Sequence, residues 1–161
     1  MKHNILIMLA LVSAVAAAAG PKEDELGIPL PAFPKAENLI EFYVSAATRN
    51  HFFIDSPNLS VGADGVVRYV LVVKTAGGAT NTSFEGIDCR SDEYRLYATG
   101  HSDGSWARAR LSVWRPIENE SVNGDHAALS RDYFCPEGLP IADAAAGRAA
   151  LRTGTSPVGP E

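Results

Sequence analysis

The run Val66-Val67-Arg68-Tyr69-Val70-Leu71-Val72-Val73 restricts most what this chain can become. β-Branched residues stand on both of its alternating faces, which suits a central strand covered on two sides and disfavours a helix. Gly62-Ala63-Asp64-Gly65 supplies a turn before it. Gly77-Gly78 supplies one after it, so the run folds back on residues 79–87 as a hairpin. Neighbouring segments carry the same period of two. Ile40, Phe42 and Val44 alternate with Glu41, Tyr43 and Ser45, and residues 51–55 form a short run that breaks at Ser56-Pro57-Asn58. Tyr94, Leu96 and Ala98 alternate with Arg95, Tyr97 and Thr99. Asp103-Gly104 then turns the chain into residues 106–114, where Ala107, Ala109, Leu111 and Val113 share one face.

After Pro116 the periodicity changes. Residues 126–134 suit a short helix, with Asn123 or Asp125 placed to cap it. Residues 140–152 suit a longer one: Ile141, Ala144, Ala145, Arg148 and Leu151 fall at helical spacing, Pro140 fits a first turn and Gly154 fits the end. Gly147 inside it costs about 1 kcal/mol against alanine, so this helix needs packing to persist. Strands followed by helices make an α+β fold: an antiparallel β-sheet meander of about five or six strands, then one or two C-terminal helices.

The first 19 residues read as a cleavable signal peptide. Lys2 opens it, Ile5-Leu6-Ile7-Met8-Leu9-Ala10-Leu11-Val12 forms its apolar core, and Ala17-Ala18-Ala19 satisfies the Ala-x-Ala cleavage rule. The core is shorter than the roughly 20 residues of a membrane span. No cysteine stands at the cleavage point to take a lipid, so the expected product is soluble, periplasmic and not a lipoprotein. The organisation expected is a signal peptide over 1–19, a proline-rich and acidic lead-in over 20–38 that is extended rather than packed, one domain over 39–152 and an unstructured tail over 153–161. Cleavage removes a single charged residue and takes the net charge from −5 to −6. That balance argues against a nucleic-acid partner.

The chain has two cysteines, Cys89 and Cys135. In an exported protein such a pair most simply forms one disulfide, and their wide separation matches neither C-x-x-C nor a zinc half-site. Closing that loop removes about 4 kcal/mol of unfolded-state entropy.

Catalytic and metal signals are weak. Gly100-His101-Ser102-Asp103-Gly104 formally matches the nucleophile elbow G-x-S-x-G, and a small serine hydrolase using Ser102 with Asp125 and His126 is the alternative reading. The residues after Gly104 alternate like a strand, however, and the elbow needs a strand-to-helix turn above a parallel sheet. His51, His101 and His126 with Asp88, Asp103, Asp125 and Asp132 show no recognised ligand spacing, so no metal and no cofactor is expected. Trp106, Arg108, Arg110 and Trp114 would share one strand face, with guanidinium-on-indole stacking as the physical basis of a ligand or partner surface. The reading is of a non-catalytic binding or envelope-structural module, whose partner is an envelope protein or a small ligand.

Several ordered segments resemble the CNP1-like family. They are Pro31-Ala32-Phe33-Pro34-Lys35 through Glu37-Asn38-Leu39-Ile40, Leu59-Ser60-Val61-Gly62-Ala63-Asp64-Gly65-Val66-Val67-Arg68-Tyr69, Glu85-Gly86-Ile87-Asp88-Cys89, Asp103-Gly104-Ser105-Trp106 and Asp132-Tyr133-Phe134-Cys135-Pro136. The resemblance runs over about residues 31–152 and implies an exported protein of a Gram-negative bacterium. It brings no catalytic residues with it.

Overall fold

The computed structural model describes residues 27–118 and 124–154. The expected signal peptide, most of the expected tail and the candidate cap Asn123 lie outside the described residues. Eight strands form one antiparallel sheet: β1 (Leu39–Phe42), β2 (His51–Asp55), β3 (Ser60–Val61), β4 (Val66–Lys74), β5 (Thr80–Asp88), β6 (Glu93–Gly100), β7 (Trp106–Arg108) and β8 (Arg115–Pro116). Their order is β1-β2-β4-β5-β6-β7, with β3 beside β4 and β8 beside β6. The hairpin read from the valine run is its centre, pairing from Val66↔Asp88 to Lys74↔Thr80. Two helices come after the sheet. In α1 (Asp125–Ala128) the chain runs on directly into a wider π-helical stretch, Leu129–Phe134, and α2 spans Ala144–Thr153.

Strand alternation gives the sheet two differently covered faces. Val67, Tyr69 and Leu71 of β4 point with Phe42, Phe52, Ile54 and Ile87 toward the helices, where Leu129, Tyr133, Phe134 and Leu151 complete the main core. Val70, Val72, Phe84, Tyr97 and Ala98 face the other way. Tyr97 and Ala98 are adjacent in sequence yet share that face, because the β5–β6 register shifts between Phe84 and Glu85 and leaves Tyr97 as an extra residue. Ile28 and Leu30 of the lead-in pack against this second cluster. Their segment runs extended, as its prolines dictate, but against expectation it is packed, because its apolar side chains cover the sheet.

Two element boundaries differ from the sequence reading. The strand expected over 106–114 ends at Arg108. Ala109 donates a further hydrogen bond to the Tyr97 carbonyl (2.9 Å), and then the Ser112 hydroxyl, not a backbone amide, donates to the Leu96 carbonyl (2.7 Å). A side chain there replaces the ladder, so the chain leaves the sheet and rejoins it only at β8. The second difference is that α2 begins at Ala144, not at Pro140. Asp143 adopts an extended conformation and its carboxylate accepts the Ala146 N–H (2.9 Å), which sets the helix start there. Ile141 is left buried in the non-helical stretch before it. Gly147 then has a packing reason: a Cβ at this position would stand 2.6 Å from Ile141 Cδ1 and 2.8 Å from Leu59 Cδ2. The absent side chain lets the helix lie close to the sheet.

The disulfide Cys89–Cys135 is formed, with Cα atoms 5.3 Å apart. It joins the residue after β5 to the residue after the π-helical stretch, so it fastens the helical layer to the sheet centre.

Candidate functional site

Two groups of polar side chains stand out, one on each face of the sheet. The first arises from the central register. Tyr69 lies opposite Glu85 and Leu71 opposite Ser83, so alternation turns Ser83, Glu85 and Ile87 toward the helices. A glutamate in that row is 6% exposed and requires hydrogen bonds for its carboxylate. Tyr69 donates its hydroxyl to Oε2 (3.1 Å), Ser83 donates to Oε1 (2.6 Å), and Nε2 of His126 donates to Oε2 (2.8 Å). The imidazole is stacked on Tyr94, with ring centroids 3.8 Å apart. Asp125 begins α1 and is 5% exposed; its Oδ1 makes no hydrogen bond among the described residues and lies 3.9 Å from Nδ1 of His126.

Burial pushes the Glu85 carboxyl up, but the hydrogen bond and charge of His126, with Ser83 and Tyr69, outweigh it and hold the group below its ordinary range. Burial likewise works against charge on His126, and the hydrogen bond and charge of Glu85 with the charge of Asp125 overcome it, so its pKa is raised. Burial raises the Asp125 carboxyl, with His126 opposing and Glu85 reinforcing. The cluster is therefore an ion pair in low dielectric that binds α1 to the sheet. A cavity of about 510 Å³ beside the cystine, lined by Asp92, Ser130, Arg131 and Glu137 among others, includes none of these side chains.

The second group lies on the opposite face. Tyr97 lies across Gly86, where a Cβ would come within 2.8 Å of its hydroxyl. The guanidinium carbons of Arg68 and Arg95 stand 5.8 and 5.7 Å from the Tyr97 ring centroid. Asp64 holds Arg68 through two hydrogen bonds (3.1 and 2.5 Å). Arg95 donates from Nε to Ser112 (2.8 Å) and lies over the Trp114 ring (5.9 Å). A groove of about 590 Å³ runs beside this group, between Ile28, Pro29 and Pro31 of the lead-in and the Gly62-Ala63-Asp64 turn.

The four residues read as one surface do separate things. Trp106 donates from Nε1 to the Pro31 carbonyl (3.0 Å) and packs its ring on Phe33, with centroids 5.2 Å apart. Arg108 donates to the Ile28 carbonyl (3.1 Å), and Asn58 donates to the Ala32 carbonyl (2.9 Å). Trp106 and Arg108 thus hold the lead-in. Arg110 projects into solvent, and Trp114 is half-buried beside Arg95. The departure of the chain from the sheet after Arg108 is what separates them.

The serine–histidine arrangement is not assembled. Ser102 is exposed in the β6–β7 turn, which is closed by His101 N–H to the Ser105 carbonyl (2.8 Å) and Gly104 N–H to the His101 carbonyl (3.1 Å). Leu96, opposite Glu85, lies roughly 13 Å back along β6 from Gly100, where the strand ends, at about 3.3 Å per residue. His51 forms an exposed pair with Glu41 (2.6 Å). Among the described residues there is no group of three or more His, Cys, Asp or Glu side chains that could hold a metal ion. The Glu85–His126 pair was missed because its signal, an acidic residue in an inward-facing strand position, appears only once the register is known.

Together these features define a disulfide-bonded α+β domain with one antiparallel sheet, helices on one face and an extended lead-in on the other. No helix among the described residues is long and apolar enough to cross a membrane. The chain matches the CNP1-like family over residues 18–152 and belongs to it. It is similar to Cryptic neisserial protein 1 of Neisseria gonorrhoeae, 24% identical over 177 aligned positions covering 87% of each chain. No solved structure matches it.

Proposed function

We propose that this chain is an exported, periplasmic binding or envelope-structural module without catalytic activity, working through the segment that comes after β7. The carrying observation is the make-up and exposure of that segment. Arg110 and Arg115 are exposed there together with Leu111 (68% exposed) and Val113 (43% exposed), next to the exposed Arg108 that ends β7, in a chain of net charge −5. Exposed aliphatic side chains gathered between arginines mark a contact surface. Export is supported by the buried cystine, which an oxidising compartment would form and maintain. Of the residues read as a catalytic set, His126 is engaged with the buried Glu85, while Ser102 stands exposed in the β6–β7 turn.

The test places a photo-crosslinking amino acid at Leu111 and, separately, at Leu139, which is comparably exposed elsewhere on the molecule. After irradiation in intact cells, adducts with an envelope component are expected at 111 and not at 139. Equal labelling at both, or none at 111, refutes the reading. Fractionation of the same cells should place the oxidised protein in the periplasm.

A further inference from the structure

We infer that residues 108–115 form a tip that seats the protein on an anionic lipid bilayer; this names the partner class for the surface proposed above and rests on that reading. From Gly104 to Ile117 the sequence holds three arginines, two tryptophans and no acidic residue, although acidic residues exceed basic ones in the chain as a whole. Neither Arg110 nor Arg115 pairs with a carboxylate among the described residues. Arg108 uses one nitrogen on the Ile28 carbonyl and keeps the rest of its fork in water.

The conformation decides which side chains point outward. The Ser112 hydroxyl is fixed inward, donating to the Leu96 carbonyl (2.7 Å) and accepting from Arg95 (2.8 Å). Its neighbours Leu111 and Val113 are therefore held outward, on a segment anchored at its middle and rejoined to the sheet at β8. Two aliphatic side chains flanked by arginines on both sides match the layered chemistry of a bilayer interface, with phosphates outside and hydrocarbon beneath.

Shape separates a bilayer from a protein partner. The tip lies outside these recesses: neither the groove beside the lead-in, nor the cavity by the cystine, nor a third of about 580 Å³ near Tyr43 and Thr153 is lined by any residue from 108 to 115. A protein partner would have to supply a matching pocket, whereas a fluid interface needs none. Charge orients the molecule as well. The acidic remainder is repelled by anionic headgroups, so only the basic tip approaches them.

The experiment is co-sedimentation of the exported form with vesicles of phosphatidylcholine alone, and with vesicles containing an equal part of phosphatidylglycerol. Binding is expected to the second and not the first, and to weaken as salt is raised. Leu111→Ser/Val113→Ser and Arg110→Gln/Arg115→Gln should each lower binding by about tenfold or more. Both pairs alter exposed positions, so the melting temperature should hold; Leu139→Ser is the control and should bind as the parent does. Equal binding to both vesicles, no binding to either, or indifference to the tip substitutions overturns the inference. If vesicles are not bound while the crosslinker at position 111 still captures an envelope protein, the bilayer is excluded and the wider reading survives. If both fail, both fall.

Discussion

Removing the imidazole of His126 perturbs the most constrained ionisable pair in the molecule. In His126→Ala the Glu85 carboxylate keeps Tyr69 and Ser83 as donors but loses its charged partner at 2.8 Å. A charge-assisted hydrogen bond contributes about 1.5–3 kcal/mol, and the stack on Tyr94 adds about 1 kcal/mol. The expected loss is about 3 kcal/mol, near the lower end of the range for breaking a buried pair because two donors remain. Denaturant unfolding measures it. Adding Glu85→Gln should recover part of the loss, since no buried charge is then left uncompensated; a double-mutant cycle reads this as coupling.

The same pair sets a pH dependence. His126 has a raised pKa in the folded protein, so its contribution is complete below 6.5, its ordinary value, and fades as pH rises through the folded value. Glu85 has a lowered pKa, so its contribution is complete above 4.5 and fades as pH falls through the folded value. The pair therefore stabilises most between 4.5 and 6.5. Asp125, with its raised pKa, acts against this within the window, because its contribution declines as pH climbs above 3.8. His126→Ala should remove the decline above 6.5. Parent stability that is flat across 6.5, or a variant that retains the same decline, would refute this account, as would a loss below about 1 kcal/mol.

Replacing Cys89 and Cys135 together by alanine should cost about 4 kcal/mol and lower the melting temperature accordingly; an unchanged melting curve contradicts a stabilising role for the cystine. Gly147→Ala should destabilise by about 1–3 kcal/mol despite the helix propensity of alanine, because the new methyl meets Ile141 and Leu59 at buried positions; a gain in stability on denaturant unfolding would show that those side chains yield. Trp106→Phe keeps a ring against Phe33 and loses the bond to the Pro31 carbonyl, about 1 kcal/mol. Limited proteolysis should then cut within residues 27–34 faster than in the parent, and an unchanged cleavage rate would argue that the lead-in is held by its apolar contacts alone.

The parts of the fold legible in sequence were those written locally. The valine run and its glycine turn define β4 and β5 because both faces are apolar and the chain reverses immediately. The end of β7 was not legible. Alternation continues through Val113, and only the Ser112 hydroxyl, in place of a backbone donor, shows that the ladder has stopped. The start of α2 was obscured by Pro140 and Ile141, which satisfy a helix pattern that the Asp143 cap then pre-empts. The Glu85–His126 pair joins positions 41 apart and exists only through strand register, so no local pattern announces it. Proline content gave the shape of the lead-in; it carried no information about the side chains that accept its company. Arg108 and Arg110 were picked out together by their spacing, and the structure separates them because one is tied to Ile28 and the other projects into solvent.

The lead-in imposes an order of events on a chain synthesised from its N-terminus. Its carbonyls at Pro31 and Ile28 meet Trp106 and Arg108, partners 75 and 80 positions later. The lead-in therefore docks only after seven of the eight described strands have been delivered. Until then Phe84, Tyr97 and their neighbours on that face lack their cover, and the beginning of the domain stays open to whatever enzyme or chaperone attends the nascent chain.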